Sequence, residues 1–176
     1  MATITIKVEG VEQVLAKLKK LPHQGGVKAG VLDNEKSGGG EVLDYAPIQE
    51  FGGVIPVTKK MRGYFGAVFG VHLRKDKAVI TIPSRPFMRL TYQDKHKEWL
   101  QDLIKGIKAG IDENTLWELI GTRMMDDIQA TIRSNLPPAN SSLTRAIKEK
   151  EYPTHANDTL RMSDKLHNSI DYEVLK

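Results

Sequence analysis

The sequence predicts an α+β fold in which a mixed or antiparallel sheet packs against two long helices, with extended loops and a C-terminal strand. Three observations predict it. Short runs of alternating apolar residues stand near both ends of the chain, two long helical stripes occupy its middle, and 176 residues suffice for one core but are few for two. Residues 1–176 are therefore read as one domain, with 135–176 as a peripheral C-terminal segment.

Ile4, Ile6 and Val8 alternate with Thr3, Thr5 and Lys7, the period of a half-buried strand. Val11, Val14, Leu15, Leu18 and Leu21 then fall on one helical stripe, which Pro22 ends. "VKAGVL" (27–32) reads as a strand and "DNEKSGGGE" (33–41) as a flexible loop. A phosphate cradle is not expected in that loop, because no Gly-Lys-Ser/Thr ending follows. "YAPIQEFGG" (45–53) reads as a short helical turn ended by paired glycines. Residues 54–83 read as β-rich, with one strand through Val68, Phe69 and Val71, another through Val79, Ile80 and Ile82, and "RKDK" as the turn between them.

Pro86 is expected at the first helical position, with Ser84 nearby as a cap. The helix carries Phe87, Leu90, Trp99, Leu100, Leu103, Ile104 and Ile107 on its apolar face and stops at Gly110. A second helix is predicted from Asp112–Thr115 to about Ser134, with Leu116, Leu119, Ile120, Met124, Ile128, Thr131 and Ile132 as its stripe. The two would form a hairpin against the sheet. Beyond "NLPPANSS", the sequence predicts a short helix at "SLTRAIKEK", a loop, a helical turn at "RMSDKLHNS" and a last strand through Ile170, Tyr172 and Val174.

Composition excludes several function classes. Hydrophobic and charged fractions of 40% and 27% are those of a folded globular chain. No apolar run approaches the roughly 20 residues that cross a bilayer, and Met1–Gly10 lacks the pattern of a signal peptide, so a cytoplasmic origin without membrane contact is expected. The absence of cysteine removes disulfides, thiolate catalysis and Cys-type zinc sites. The net charge of +4 is mild, and its bases are scattered through loop tips and solvated faces.

No catalytic, cofactor or metal residues are expected. His23, His72, His96, His155 and His167 show no HxH or HExxH spacing. Asp126 and Asp127 are adjacent on a helix and point about 100° apart, so they cannot act as facing acid and base. Ser141, Ser142 and Ser163 lack a nucleophile elbow and suit helix caps. "RGYFGAVF" (62–69) is similar to an RNA-recognition strand motif, but the match needs an inserted residue, which would turn the later side chains to the other face. Tyr64, Phe65 and Phe69 are read as core or loop packing.

"IPSRPF" (82–87) forms a stiff strand-to-helix corner, because Pro83 and Pro86 each fix a φ angle. A cation at a helix start opposes the helix dipole unless an acid meets it. Two readings of Arg85 stand: it meets a carboxylate, in this chain or in a neighbouring subunit, or, with Arg89, it merely flanks the helix start.

The order "YAPIQEFGG", "IPSRPFMR", "LIGTRMMDDIQATI", "SSLTRAIKEK" and "TLRMSDKLHNSIDYEV" resembles the head-tail joining, or tail-completion, proteins of long-tailed bacteriophages, from about Tyr45 to Val174. One departure is that "DTLRMSDKL" lacks the glycine that this family carries before the leucine. The resemblance implies a non-enzymatic virion protein, assembled in the host cytoplasm as a homo-oligomeric ring of six at the neck. Its partners would be the head connector and the tail tube or tail terminator, with DNA passing through the lumen. Arg85, Arg89, Glu50, Ile170, Tyr172 and Val174 are then candidate subunit-interface residues, and the loops Asp33–Glu41 and Thr58–Gly66 would engage adjacent rings. A tail terminator and a small nucleic-acid-binding module are the alternatives.

Overall fold

The structure, a computed structural model, describes residues 25–35 and 40–175. The expected strand at Ile4–Val8, the helix at Val11–Leu21 and most of the glycine-rich loop lie outside those residues. The described elements, in chain order, are β1 (Gly26–Val31), α1 (Glu41–Phe51), β2 (Gly53–Pro56), α2 (Lys59–Tyr64) with a π-helical turn at Phe65–Phe69, and β3 (Val79–Ile82). They continue with α3 (Phe87–Ala109), α4 (Glu113–Arg133), α5 (Ser142–Glu151), a 3-10 turn at Pro153–His155, α6 (Lys165–Asn168) and β4 (Ile170–Leu175).

The two long helices form the expected hairpin. Gly110 ends α3 with φ +75°, a conformation that costs glycine little, and the Asp112 side chain accepts from Thr115 N to start α4. At Gly106 an added Cβ would collide with Leu116, so the missing side chain lets the helices close on each other. Helix α4 lies on an antiparallel pair of β1 and β4, in register from Gly26↔Leu175 to Val31↔Ile170. A Cβ at Gly121 would collide with the Tyr172 ring, so this sheet rests directly on the α4 backbone.

One core cluster joins Val42 and Ala46 of α1, Phe87 of α3, Ile128 and Ile132 of α4, and Leu136, Leu160, Leu166 and Ile170. The last four overturn the reading of 135–176 as peripheral. Few apolar residues stand in that segment, but Leu136, Leu160, Leu166 and Ile170 among them are buried, and Ile170 is only 1% exposed. Tyr172 and Val174 pair with Ala29 and Val27 of the same chain, so β4 completes the chain's own sheet.

Three other expectations change. Helix α1 is longer than the turn predicted at 45–53 and continues past Pro47, because Val42, Ala46 and Glu50 recur at four-residue spacing on its buried side. The strand expected through Val68–Val71 is instead the π-helical turn, closed by Gly70 at φ +68°. There the rings of Tyr64, Phe65 and Phe69 meet one another tilted or edge-on at centroid distances of 5.6–6.3 Å, a contact that an extended chain would pull apart. The antiparallel partner of β3 is therefore β2, from Gly53↔Ile82 to Pro56↔Val79. Finally, Pro86 occupies the N-cap position, one residue before α3 begins.

Candidate functional site

The corner predicted as stiff is the junction where α1, β3 and α3 meet, and its polar groups are largely satisfied by the chain itself. Helix α1 ends at Gly52, whose φ is +79°; a Cβ added there would come within 2.9 Å of Ser84 N and 3.1 Å of Ile82 O, leaving no space for a side chain. This close approach aligns the last turn of α1 with the first turn of α3. Arg85 N donates to Gln49 O at 2.7 Å and Ser84 Oγ donates to Glu50 O at 2.7 Å. Ser84 thus ties the corner to α1 and does not cap α3.

The cap comes from Glu50. Its Oε2 accepts from Met88 N at 2.9 Å, and its Oε1 accepts from Arg89 N at 3.1 Å and Arg89 Nε at 3.0 Å. A carboxylate on another helix therefore fills two of the N–H groups that every helix start leaves open, and it also meets the positive end of the α3 dipole. Arg89 Nη2 reaches Glu50 O at 3.1 Å, and its guanidinium lies 4.9 Å over the Phe51 ring. The Arg89–Glu50 pair is intramolecular, and Glu50 is only 5% exposed.

Arg85 departs from its expected partner. Among the described residues no carboxylate meets it: Nε and Nη2 donate to Pro138 O at 3.1 and 2.8 Å. Burial, with the residue 5% exposed, holds its guanidinium below the usual arginine value. Arg85 and Glu50 accordingly offer little surface to a neighbour. Of the six candidate interface residues, the corner brings together Glu50, Arg85 and Arg89, while Ile170, Tyr172 and Val174 stand apart in β4.

A second buried cation, Lys148 of α5, donates to Asp158 O at 2.5 Å and to Arg161 O. Burial lowers its ammonium from the usual lysine value, the Asp158 carboxylate opposes that shift, and the Arg85 charge reinforces it. Around it, His155 Nδ1 meets Asp158 Oδ2 at 2.8 Å, and Arg161 Nε donates to Asp164 Oδ1 at 2.7 Å. That hydrogen bond is the main cause holding the Asp164 carboxyl below its usual value. Histidine spacing alone missed this cluster, whereas the three-residue steps from His155 to Asp158 and from Asp158 through Arg161 to Asp164 signal it. Among the described residues no group of His, Asp or Glu is placed to hold a metal ion. Asp127 accepts from Trp99 Nε1 and Arg123 Nε, tying α3 to α4, and Ser141 caps α5.

The corner carries an arm. From Phe51 to Ser84 no residue is buried, and β2, α2, the π-helical turn and β3 pack mainly on one another. Arg62 holds its far end together by donating to the carbonyls of Leu73, Arg74, Lys75 and Lys77. Lys150 Nζ, donating to Val68 O at 2.6 Å, ties it to α5. Large apolar side chains stay open to solvent at its base and along it: Phe51 at 66% and Val54 at 60%, with Tyr64, Val68 and Val79 also exposed. Its cations, Lys59, Lys60, Arg62, Arg74, Lys75 and Lys77, face Asp76 as the only acid, so the arm alone holds more than the net +4 of the whole chain.

No family model, curated protein or solved structure matches the chain.

Proposed function

We propose that this protein is a structural virion component of a tailed phage or prophage, completing the tail and joining it to the head as a homo-oligomeric ring of six at the neck. The observation that carries the reading is the arm. A two-stranded ribbon is marginal in water on its own, and exposed apolar side chains gathered on one projection mark a docking surface. Both outer edges of the β2–β3 ribbon lack a strand partner among the described residues, so a neighbouring strand could extend it. The corner supports this role: Glu50 and Arg85 lock the arm's base to the body, and a rigid base delivers the arm to one place on a neighbour. The ordered sequence resemblance from Tyr45 to Val174 supplies the phage context.

Complementation tests the reading. In a phage lacking this gene, heads and tails should accumulate separately, and the supplied gene should restore joined particles. Joined particles in its absence would overturn the reading, and tails of uncontrolled length would favour a tail terminator. Tight duplex binding by the purified protein, with a steep salt dependence, would instead favour a nucleic-acid module working through the basic arm.

A further inference from the structure

Two helical faces stand open on this molecule, one basic on the arm and one acidic on α4. Along α2 and the π-helical turn the exposed residues are Lys59, Lys60, Gly63, Tyr64, Ala67 and Val68, pairs that recur every four positions and so form one outward stripe. Tyr64 is 56% and Val68 39% exposed. Among the described residues no acid pairs with Lys59 or Lys60. Gly63 lies inside this helical run, where glycine is costly, and an added Cβ would meet nothing within 4 Å, so no contact within the chain calls for it. Close approach by a second backbone does.

The outer side of α4 carries Thr115, Glu118, Leu119, Thr122 and Asp126, all exposed and opposite the buried Leu116, Ile120 and Ile128. Glu118 Oε2 accepts from Tyr172 Oη at 2.7 Å, and no cation pairs with Asp126 among the described residues. Arg123, at the flank of this face, is already held by Asp127 and Glu98. The face is therefore acidic where the arm's stripe is basic, and each surrounds exposed apolar area.

We propose that the arm's stripe docks on the outer face of α4 in the next copy of the chain. This rests on the ring reading above and names the two surfaces that build it. Both faces are open in the folded chain, so they meet between copies, and a patch that binds a different patch on the next copy is the kind of contact that closes a ring. The spacings match. Lys60, Tyr64 and Val68 are four residues apart, as are Asp126, Thr122 and Glu118, and each row spans about 12 Å. An antiparallel seat sets Lys60 beside Asp126, Tyr64 against Thr122, and Val68 against Leu119. Nucleic acid would suit the lysines alone, whereas Ala67 and Val68 on the same stripe offer phosphate nothing.

The full-length chain has no cysteine, so an introduced pair reports by itself. Val68→Cys with Leu119→Cys, oxidised under native conditions, should give a ladder of chains linked by disulfides. Val68→Cys with Leu100→Cys, an exposed position on α3, should give none. Charge reversal supplies a second reading: Lys60→Glu, and separately Asp126→Lys, should raise the concentration at which the assembly dissociates at least about tenfold, and the double variant should return to within about threefold of wild type. Native mass of the wild-type chain, measured alongside, separates the two ways to fail. A wild-type ring with no ladder, a link confined within one chain, an equal ladder from the Leu100→Cys pair, or no recovery in the double variant overturns this docking and leaves the ring reading standing. A wild-type chain that stays single overturns both.

Discussion

The body and the arm are built from similar residues and put them to opposite uses. In the body, Phe87 and Ile170 are 1% exposed; in the arm, Val54 and Val79 sit on a ribbon that buries no residue. The two regions also satisfy charge differently. The body buries Arg85 and Lys148 against carbonyl oxygens and Glu50 against backbone N–H groups, whereas the arm leaves its lysines in water. The difference teaches where to look for stability and where for assembly. Substitutions in the body should be read in melting and denaturation, and substitutions in the arm should be silent there.

The largest expected effect comes from the C-terminal end. Deleting Leu160–Lys176 removes Leu166, Ile170 and the strand that pairs with β1, and should leave no cooperative unfolding transition in urea. A truncated chain with a wild-type midpoint would return 135–176 to the periphery. Next is Glu50→Gln, which should cost about 2 kcal/mol, because an amide cannot accept as a charged cap for both Met88 and Arg89. Arg85→Ala leaves the Pro138 carbonyl without its donors and should cost about 1–2 kcal/mol in the isolated subunit, read by thermal melts.

Lys148 gives a smaller, pH-dependent effect. Burial sets its folded pKa below the unfolded value of 10.5. Between the two values the unfolded chain binds more protons, so this residue makes stability rise as pH increases through that window. Lys148→Met should flatten the rise, measured as urea midpoints from neutral to alkaline pH. An unchanged slope in the variant would place its origin elsewhere.

The helical hairpin was legible in the sequence because Gly110, Asp112 and two regular stripes mark its ends and faces without help from distant residues. The stiffness of the corner was legible too, since proline carries its own constraint. Its partners were not. Glu50 stands 38 residues from Met88, and Pro138 stands 53 from Arg85, and nothing in local spacing couples them. The rule that a cation at a helix start needs an acid held for Arg89 and failed for Arg85, which found a carbonyl within the fold. The Val68–Val71 strand failed for the converse reason: alternation in "AVFGV" is equally compatible with a helical turn, and contacts among Tyr64, Phe65 and Phe69 decide between them.

The central claim is that the arm serves assembly and not the subunit's own stability. The most direct measurement is native mass of a variant carrying Val54→Ser, Tyr64→Ser and Val79→Ser, beside its urea midpoint. Surface substitutions of this kind usually change stability by within about 0.5 kcal/mol each, so the midpoint should move little, while the ring proposed for the wild-type chain should be absent from the variant, leaving single subunits. Rings that persist in the variant, or a subunit that unfolds, would contradict the account.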